Sequence, residues 1–116
     1  MDNKGWIGVD LDGTLAYYDK WVSEEHVGKP IPLMIERVKR WLADGQEVRI
    51  VTARVSHPKH TDVTRKVIEA WCVKHIGQVL KVQKHKDSAM LELWDDRAVQ
   101  VEQNTGRIIG QSTRGL

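Results

Sequence analysis

The segment Gly5-Trp6-Ile7-Gly8-Val9-Asp10-Leu11-Asp12-Gly13-Thr14 decides how the rest of the chain is read. Its first half, Gly5 to Asp10, is a short apolar run bounded by glycine and acid, which fits a buried strand or, at this length, a fragment of helix. Its second half sets two carboxylates two residues apart, with Gly13 behind them to let the chain turn sharply. Neighbouring carboxylates repel, so such a pair needs a compensating charge. A divalent cation supplies one, and Mg²⁺ prefers carboxylate and water oxygens. An acidic turn with Gly13 as its turn residue is the plainer alternative.

Beyond Thr14 no period persists as far as Gly28, and Tyr17, Tyr18 and Trp21 fall in what reads as a loop or short hairpin. Pro30 and Pro32 then open a helix, since proline is tolerated in a first turn. Ile31, Ile35, Val38 and Leu42, flanked by Met34 and Trp41, form its apolar stripe, and Gly45 follows as a left-handed cap. Val48 to Thr52 is a second, β-branched strand. A basic loop runs to about Pro58; Val63, Val67, Ala70 and Trp71 then recur at helical spacing up to Gly77. Val79 to Val82 and Met90 to Trp94 are short strands. Ala98 to Glu102 and Arg107 to Ile109 flank Asn104-Thr105-Gly106 as a terminal β-hairpin. Strands alternating with helices predict an α/β domain with a mainly parallel central sheet and helices on its faces, a three-layer Rossmann-like arrangement.

With 116 residues, 41% hydrophobic and 29% charged, the chain has the composition of a single globular domain over residues 1–116, and disorder is excluded. No run approaches the ~18 apolar residues of a membrane span. The opening Met1-Asp2-Asn3-Lys4 lacks the apolar core of a signal peptide, and the expected compartment is the cytoplasm. The lone Cys72 rules out an internal disulfide and a multi-cysteine zinc site. The net charge of +2 says little about partners. Its distribution says more, because Arg54, His57, Lys59 and His60 form one basic cluster and Lys81, Lys84, His85 and Lys86 another. Basic clusters also arise merely to keep a surface solvated.

In an open parallel sheet, ligands bind outside the carboxyl ends of the strands. Asp10 and Asp12 stand at one such end, Thr52-Ala53-Arg54 at a second, Lys84 or Lys86 after a third, and Asp95-Asp96 at a fourth. Singly, each is unremarkable: threonine often closes a strand, lysines are usually solvated, and adjacent acids often make a turn. Their order carries the meaning.

That order resembles the haloacid dehalogenase-like superfamily, mostly Mg²⁺-dependent phosphatases, over roughly residues 5 to 102. Asp10-Leu11-Asp12-Gly13-Thr14 is similar to its first motif, Thr52 to the second, Lys86 or Lys84 to the third, and Asp95-Asp96 to the fourth. The resemblance implies Asp10 as the nucleophile that forms an aspartyl-phosphate. Asp12 would be the acid and then base, and Thr52 and Lys86 would hold the phosphoryl oxygens. Asp95 would ligate Mg²⁺ with Asp10 and the backbone carbonyl of Asp12, and Asp96 would act through water or orient the lysine. Gly13, Thr14, Ala53, Arg54 and Lys84 would contact substrate. Phosphoryl transfer needs in-line positioning and charge neutralisation, and these groups supply both.

Two features depart from the family pattern. Neither Lys86 nor Lys84 precedes a proline, and about fifteen residues separate Thr14 from Pro30, room for a flap but no cap domain. The expectation is a capless hydrolase with an open site, which acts on a macromolecule or covers the site by homo-oligomerisation. A rim of Arg54, His57, Lys59, His60, His85 and Lys86 favours a nucleotide or nucleic-acid terminal phosphate. The phosphatase part of polynucleotide kinases is a related open-site enzyme, loosely similar at Thr52-Ala53-Arg54. A sugar or other metabolite phosphate ranks second. A non-catalytic domain that binds phosphate or a partner is the alternative of another class, against which the retained Asp12, Thr52 and Asp95 speak.

Overall fold

The structure is a computed structural model and describes residues 4–112; Met1-Asp2-Asn3, part of the opening read above, lie outside them. Eight regular elements follow in order: β1 (Trp6–Val9), α1 (Pro32–Ala43), β2 (Glu47–Val51), α2 (Thr61–His75), β3 (Lys81–Gln83), β4 (Met90–Trp94), β5 (Gln100–Val101) and β6 (Ile108–Ile109). A short 3-10 turn at Ala53–Ser56 joins β2 to α2. The first four strands form one parallel sheet in the order β3-β2-β1-β4, while β5 and β6 pair antiparallel as the expected hairpin, with Asn104 at φ 67° in its turn. The domain is a Rossmann-like α/β unit.

Local chemistry explains the element bounds. Helix α1 begins at Pro32 rather than Pro30, because Ile31 precedes a proline and is held extended at φ −87°, ψ 109°. Its stripe is as read: Met34, Ile35 and Val38 are buried, with Ile31, Trp41 and Leu42 packed against them. Helix α2 buries Thr64, Ile68, Trp71 and Cys72; of the anticipated Val63, Val67, Ala70 and Trp71 only Trp71 is among them, and the inward face lies beside the other three. Threonine and cysteine, small enough to pack, occupy positions that an apolar count passes over.

The helices do not sandwich the sheet. Met34, Ile35 and Val38 of α1 and Ile68, Trp71 and Cys72 of α2 share one core cluster with Ile7, Val9, Val48, Ile50 and Val82, which all point to the same side. Among the described residues the three-layer arrangement is therefore replaced by two α/β layers and a strap. The handedness rule gives the reason. Right-handed crossovers stepping outward from β1 to β2 to β3 put both helices on one face, and the return to β4 at the opposite edge must cross the other. Residues 84–89 make that return without a helix. Asp87 fastens them, accepting a hydrogen bond from Trp6 Nε1 at 2.9 Å and lying 3.5 Å from Arg49, whose guanidinium covers the fully buried Trp6 ring at 4.6 Å.

Candidate active site

Register places the acids. Val9 pairs with Trp94, so the next residues along β1 and β4, Asp10 and Asp95, leave the sheet side by side, and Asp10 N donates to Trp94 O at 2.9 Å. Leu11 then turns into the core, fully buried, so the chain bends and Asp12 lands across the cleft. Gly13, at φ 88°, allows the bend and a close approach as well: a Cβ there would lie 2.6 Å from Asp96 Oδ2. Thr14 Oγ1 donates to Asp96 Oδ1 at 3.3 Å, and Asp95 Oδ1 accepts from the backbone of Arg97 and Ala98. Gly13 and Thr14 thus serve to set Asp96.

The result is a group of three carboxylates, Asp10, Asp95 and Asp96, each with an oxygen within 4.8 Å of the others. Burial, reinforced by the Asp95 charge and a hydrogen bond with Asp96, pushes Asp10 up to about 7. Three hard oxygen donors gathered this closely could hold a divalent cation. Asp12 is not in this group. Its carboxylate accepts two hydrogen bonds from Arg54, from Nε at 2.7 Å and Nη2 at 2.8 Å.

The opposite wall comes from β2 and β3. Thr52 continues the ladder through N–H to Gln83 O at 2.9 Å, and its Oγ1 accepts from Arg54 N at 3.2 Å, which leaves the hydroxyl proton to donate. The Arg54 side chain is only 6% exposed, and its Nη1 is buried without a partner, as is Thr64 Oγ1. Both residues line the cleft, where a polar ligand would satisfy such atoms. Lys84 is the first residue past β3. These groups, with Ala53, surround a cleft of about 620 Å³ shared with Asp10, Asp12, Asp95 and Asp96.

Lys86 does not line it. Two residues past Lys84 the strap has already turned toward Asp87 and the far face, so Lys84 is the lysine that the fold offers to the cleft. The anticipated rim is correspondingly thinner. Arg54, His57 and His60 are on it, His85 lines a neighbouring groove with Arg65, and Lys59 borders neither. Arg97 joins the rim, a residue whose position directly after Asp95-Asp96 was the available signal. Tyr18, Trp21 and Glu24 were also unanticipated. They arrive on the flap between Ala16 and Pro30, whose neck is closed by Tyr17 N to Lys29 O at 2.7 Å and by Trp71 Nε1 to Gly28 O at 3.0 Å. Gly28 is obligatory in that neck, since a Cβ would meet Tyr17 O at 1.9 Å.

No protein-family model and no curated protein matches the chain. A solved structure does: that of a conserved protein from Bacteroides thetaiotaomicron, 19% identical, covering 83% of this chain and 78% of that one with a TM-score of 0.54. At that identity the likeness is one of fold. No described helix is long and apolar enough to cross a membrane.

Proposed function

We propose that the protein is a capless haloacid dehalogenase-like phosphomonoester hydrolase that uses Mg²⁺ and an aspartyl-phosphate on Asp10, with a nucleotide or nucleic-acid terminal phosphate as substrate. The observation that carries this reading is the pairing, across one cleft, of a three-carboxylate cluster with a hydroxyl, a guanidinium and a lysine. A phosphate monoester presents the complementary charges: oxygens for Thr52, Arg54 and Lys84, and a phosphorus for the Asp10 carboxylate.

Asp10, Asp95 and Asp96 would hold the cation, together with the backbone carbonyl of Asp12 implied by the family resemblance. When bound, the cation neutralises the carboxylates and the charge on the phosphoryl oxygens. An Asp10 oxygen attacks phosphorus as the bond to the ester oxygen breaks, and Asp12 gives that oxygen its proton. Asp12 then takes a proton from water as the water oxygen attacks phosphorus, releasing inorganic phosphate and restoring Asp10. In the free protein both Asp12 oxygens are tied to Arg54. An arriving phosphate offers Arg54 a competing partner; once released by Arg54, Asp12 takes up a proton from solvent and passes it to the leaving oxygen. A domain that merely binds phosphate has no need of a second carboxylate, and Asp12 stands in the cleft.

The test is phosphate release with Mg²⁺ from an aryl phosphate, nucleoside monophosphates, phosphorylated oligonucleotides and sugar phosphates. Turnover of at least one class, absent from Asp10→Asn, is expected; no turnover of any, in a folded and Mg²⁺-loaded protein, would remove the hydrolase reading.

A further inference from the structure

We propose that the mouth of the cleft is a base-stacking subsite, with Trp21 on one wall and the His57–His60 pair on the other, so that the phosphate taken by the site lies next to a nucleobase; this rests on the phosphomonoesterase reading of the acids beneath it. Trp21 contributes nothing to the hydrophobic core. It stands on the flap, 53% exposed, with the Arg54 guanidinium 4.9 Å from its ring centroid. The cation occupies part of the indole surface, and the remainder is left to water, an exposure that a flat aromatic ligand would relieve. Across the cleft, His57 and His60 stack on each other at 5.3 Å and 21°, both exposed. Glu24 reaches His60 from the flap at 3.9 Å, so the two walls already approach one another at this mouth.

The polar groups beside these rings choose among aromatic-tolerant ligands. A site for a bare sugar needs acids and amides that accept hydrogen bonds from hydroxyls. Among the described residues the only acid at this mouth beyond the catalytic floor is Glu24, which faces His60, whereas Lys84 and Arg97 add positive charge. Cations with flat rings suit a phosphate carrying a base. A cleft of about 620 Å³ lies inside the roughly 300–1,000 Å³ span of small-ligand sites, so base and phosphate fit together. The base comes either from a free nucleotide or from the last residue of a strand, and the chemistry at the mouth is common to both.

The experiment compares adenosine 5′-monophosphate and adenosine 3′-monophosphate with ribose 5-phosphate, and a 5′- and a 3′-phosphorylated oligonucleotide with its abasic-terminated counterpart. Wild type, Trp21→Ala, Trp21→Phe and His57→Ala are each assayed for kcat/KM and, in the Asp10→Asn background, for equilibrium binding. For Trp21→Ala the ratio of base-bearing to base-free kcat/KM should fall roughly tenfold, and Trp21→Phe should restore most of it. The arm with the larger ratio in wild type, mononucleotide or oligonucleotide, identifies the source of the base. A ratio that Trp21→Ala leaves unchanged, with both substrate classes slowed equally, would mean that Trp21 only braces Arg54, and the subsite would be overturned. Base-dependent binding without hydrolysis in wild type would uphold the subsite while removing the hydrolase. Hydrolysis or binding indifferent to the base would remove the subsite and leave the hydrolase standing.

Discussion

The two walls of the cleft are built on opposite principles. On the β2–β3 wall the two central side chains are already engaged, although Arg54 Nη1 is left over: Arg54 is locked to Asp12 through two hydrogen bonds, and Thr52 is capped by Arg54 N. On the β1–β4 wall three carboxylates face one another, held in place by Thr14 and by backbone N–H groups. Under the proposed reading, one wall would take an anion that exchanges with an existing partner, and the other a cation that eases the repulsion among its acids. Removing a group from the strained wall should change chemistry and stability together. Removing one from the satisfied wall should change mainly substrate affinity.

The largest effect expected is on turnover of an aryl phosphate by Asp10→Asn, a loss of at least about a thousandfold with the fold intact by circular dichroism. Activity within tenfold of wild type would mean that Asp10 is not the nucleophile. Chelation with EDTA should abolish turnover and added Mg²⁺ should restore it; full activity after exhaustive chelation would dissolve the contrast between the walls.

The strain itself is measurable without substrate. Asp10 is held up at about 7 against an ordinary value of 3.8, so the folded protein binds its proton more tightly than the unfolded chain does. Its contribution to stability is complete below about pH 4 and is lost as pH rises through about 7. Metal-free Asp10→Asn should accordingly melt higher than wild type at pH 8, by about 5 °C once solvent screening is allowed for, with no gain near pH 3.5. Mg²⁺ should raise the wild-type melting temperature at pH 8 and leave the variant nearly unmoved. Equal melting temperatures at both pH values would show that the carboxylates carry no strain.

On the satisfied wall the effects are smaller. Lys84→Ala should raise KM for any substrate about tenfold with a lesser change in kcat, while Lys86→Ala stays within about twofold. The reverse order would return the third motif to Lys86. Smallest of all, Asp87→Ala unfastens the strap that begins at Lys84, and about a twofold rise in KM with a drop of a degree or two in melting temperature is expected. A KM unaffected by it would mean that Lys84 is positioned by β3 alone.

Much of this was legible in the sequence because it depended on neighbours along the chain. The acids after β1 and β4, the threonine after β2 and the glycine turn are all local signals, and the parallel order of strands brings them to one edge. The return crossing was not legible, because residues 84–89 carry no period and only the handedness of the two helical crossovers determines which face they take. Lys84 and Lys86 could not be separated for the same reason. The inward face of α2 was displaced by one position, since Thr64 and Cys72 are core residues here without being strongly apolar. Trp21 sits in a segment without periodicity, and its place at the cleft depends on a flap neck closed by Trp71, more than forty residues away in sequence.

The strap also fixes what the chain can tolerate in length. Gln83 lies level with the end of β1 and Met90 with its start, three strands away, a separation of about 19 Å at ~4.8 Å between strands and ~3.3 Å per residue. Seven peptide steps reach about 23–25 Å, so the span is crossed with little slack. Losing one residue would draw it taut and pull Asp87 from Trp6; losing two would leave it too short to connect the sheet's edges. Lengthening it costs only loop entropy, about 0.6 kcal/mol per doubling. The connection can grow but cannot shrink, and whatever is added would emerge on the face away from both helices.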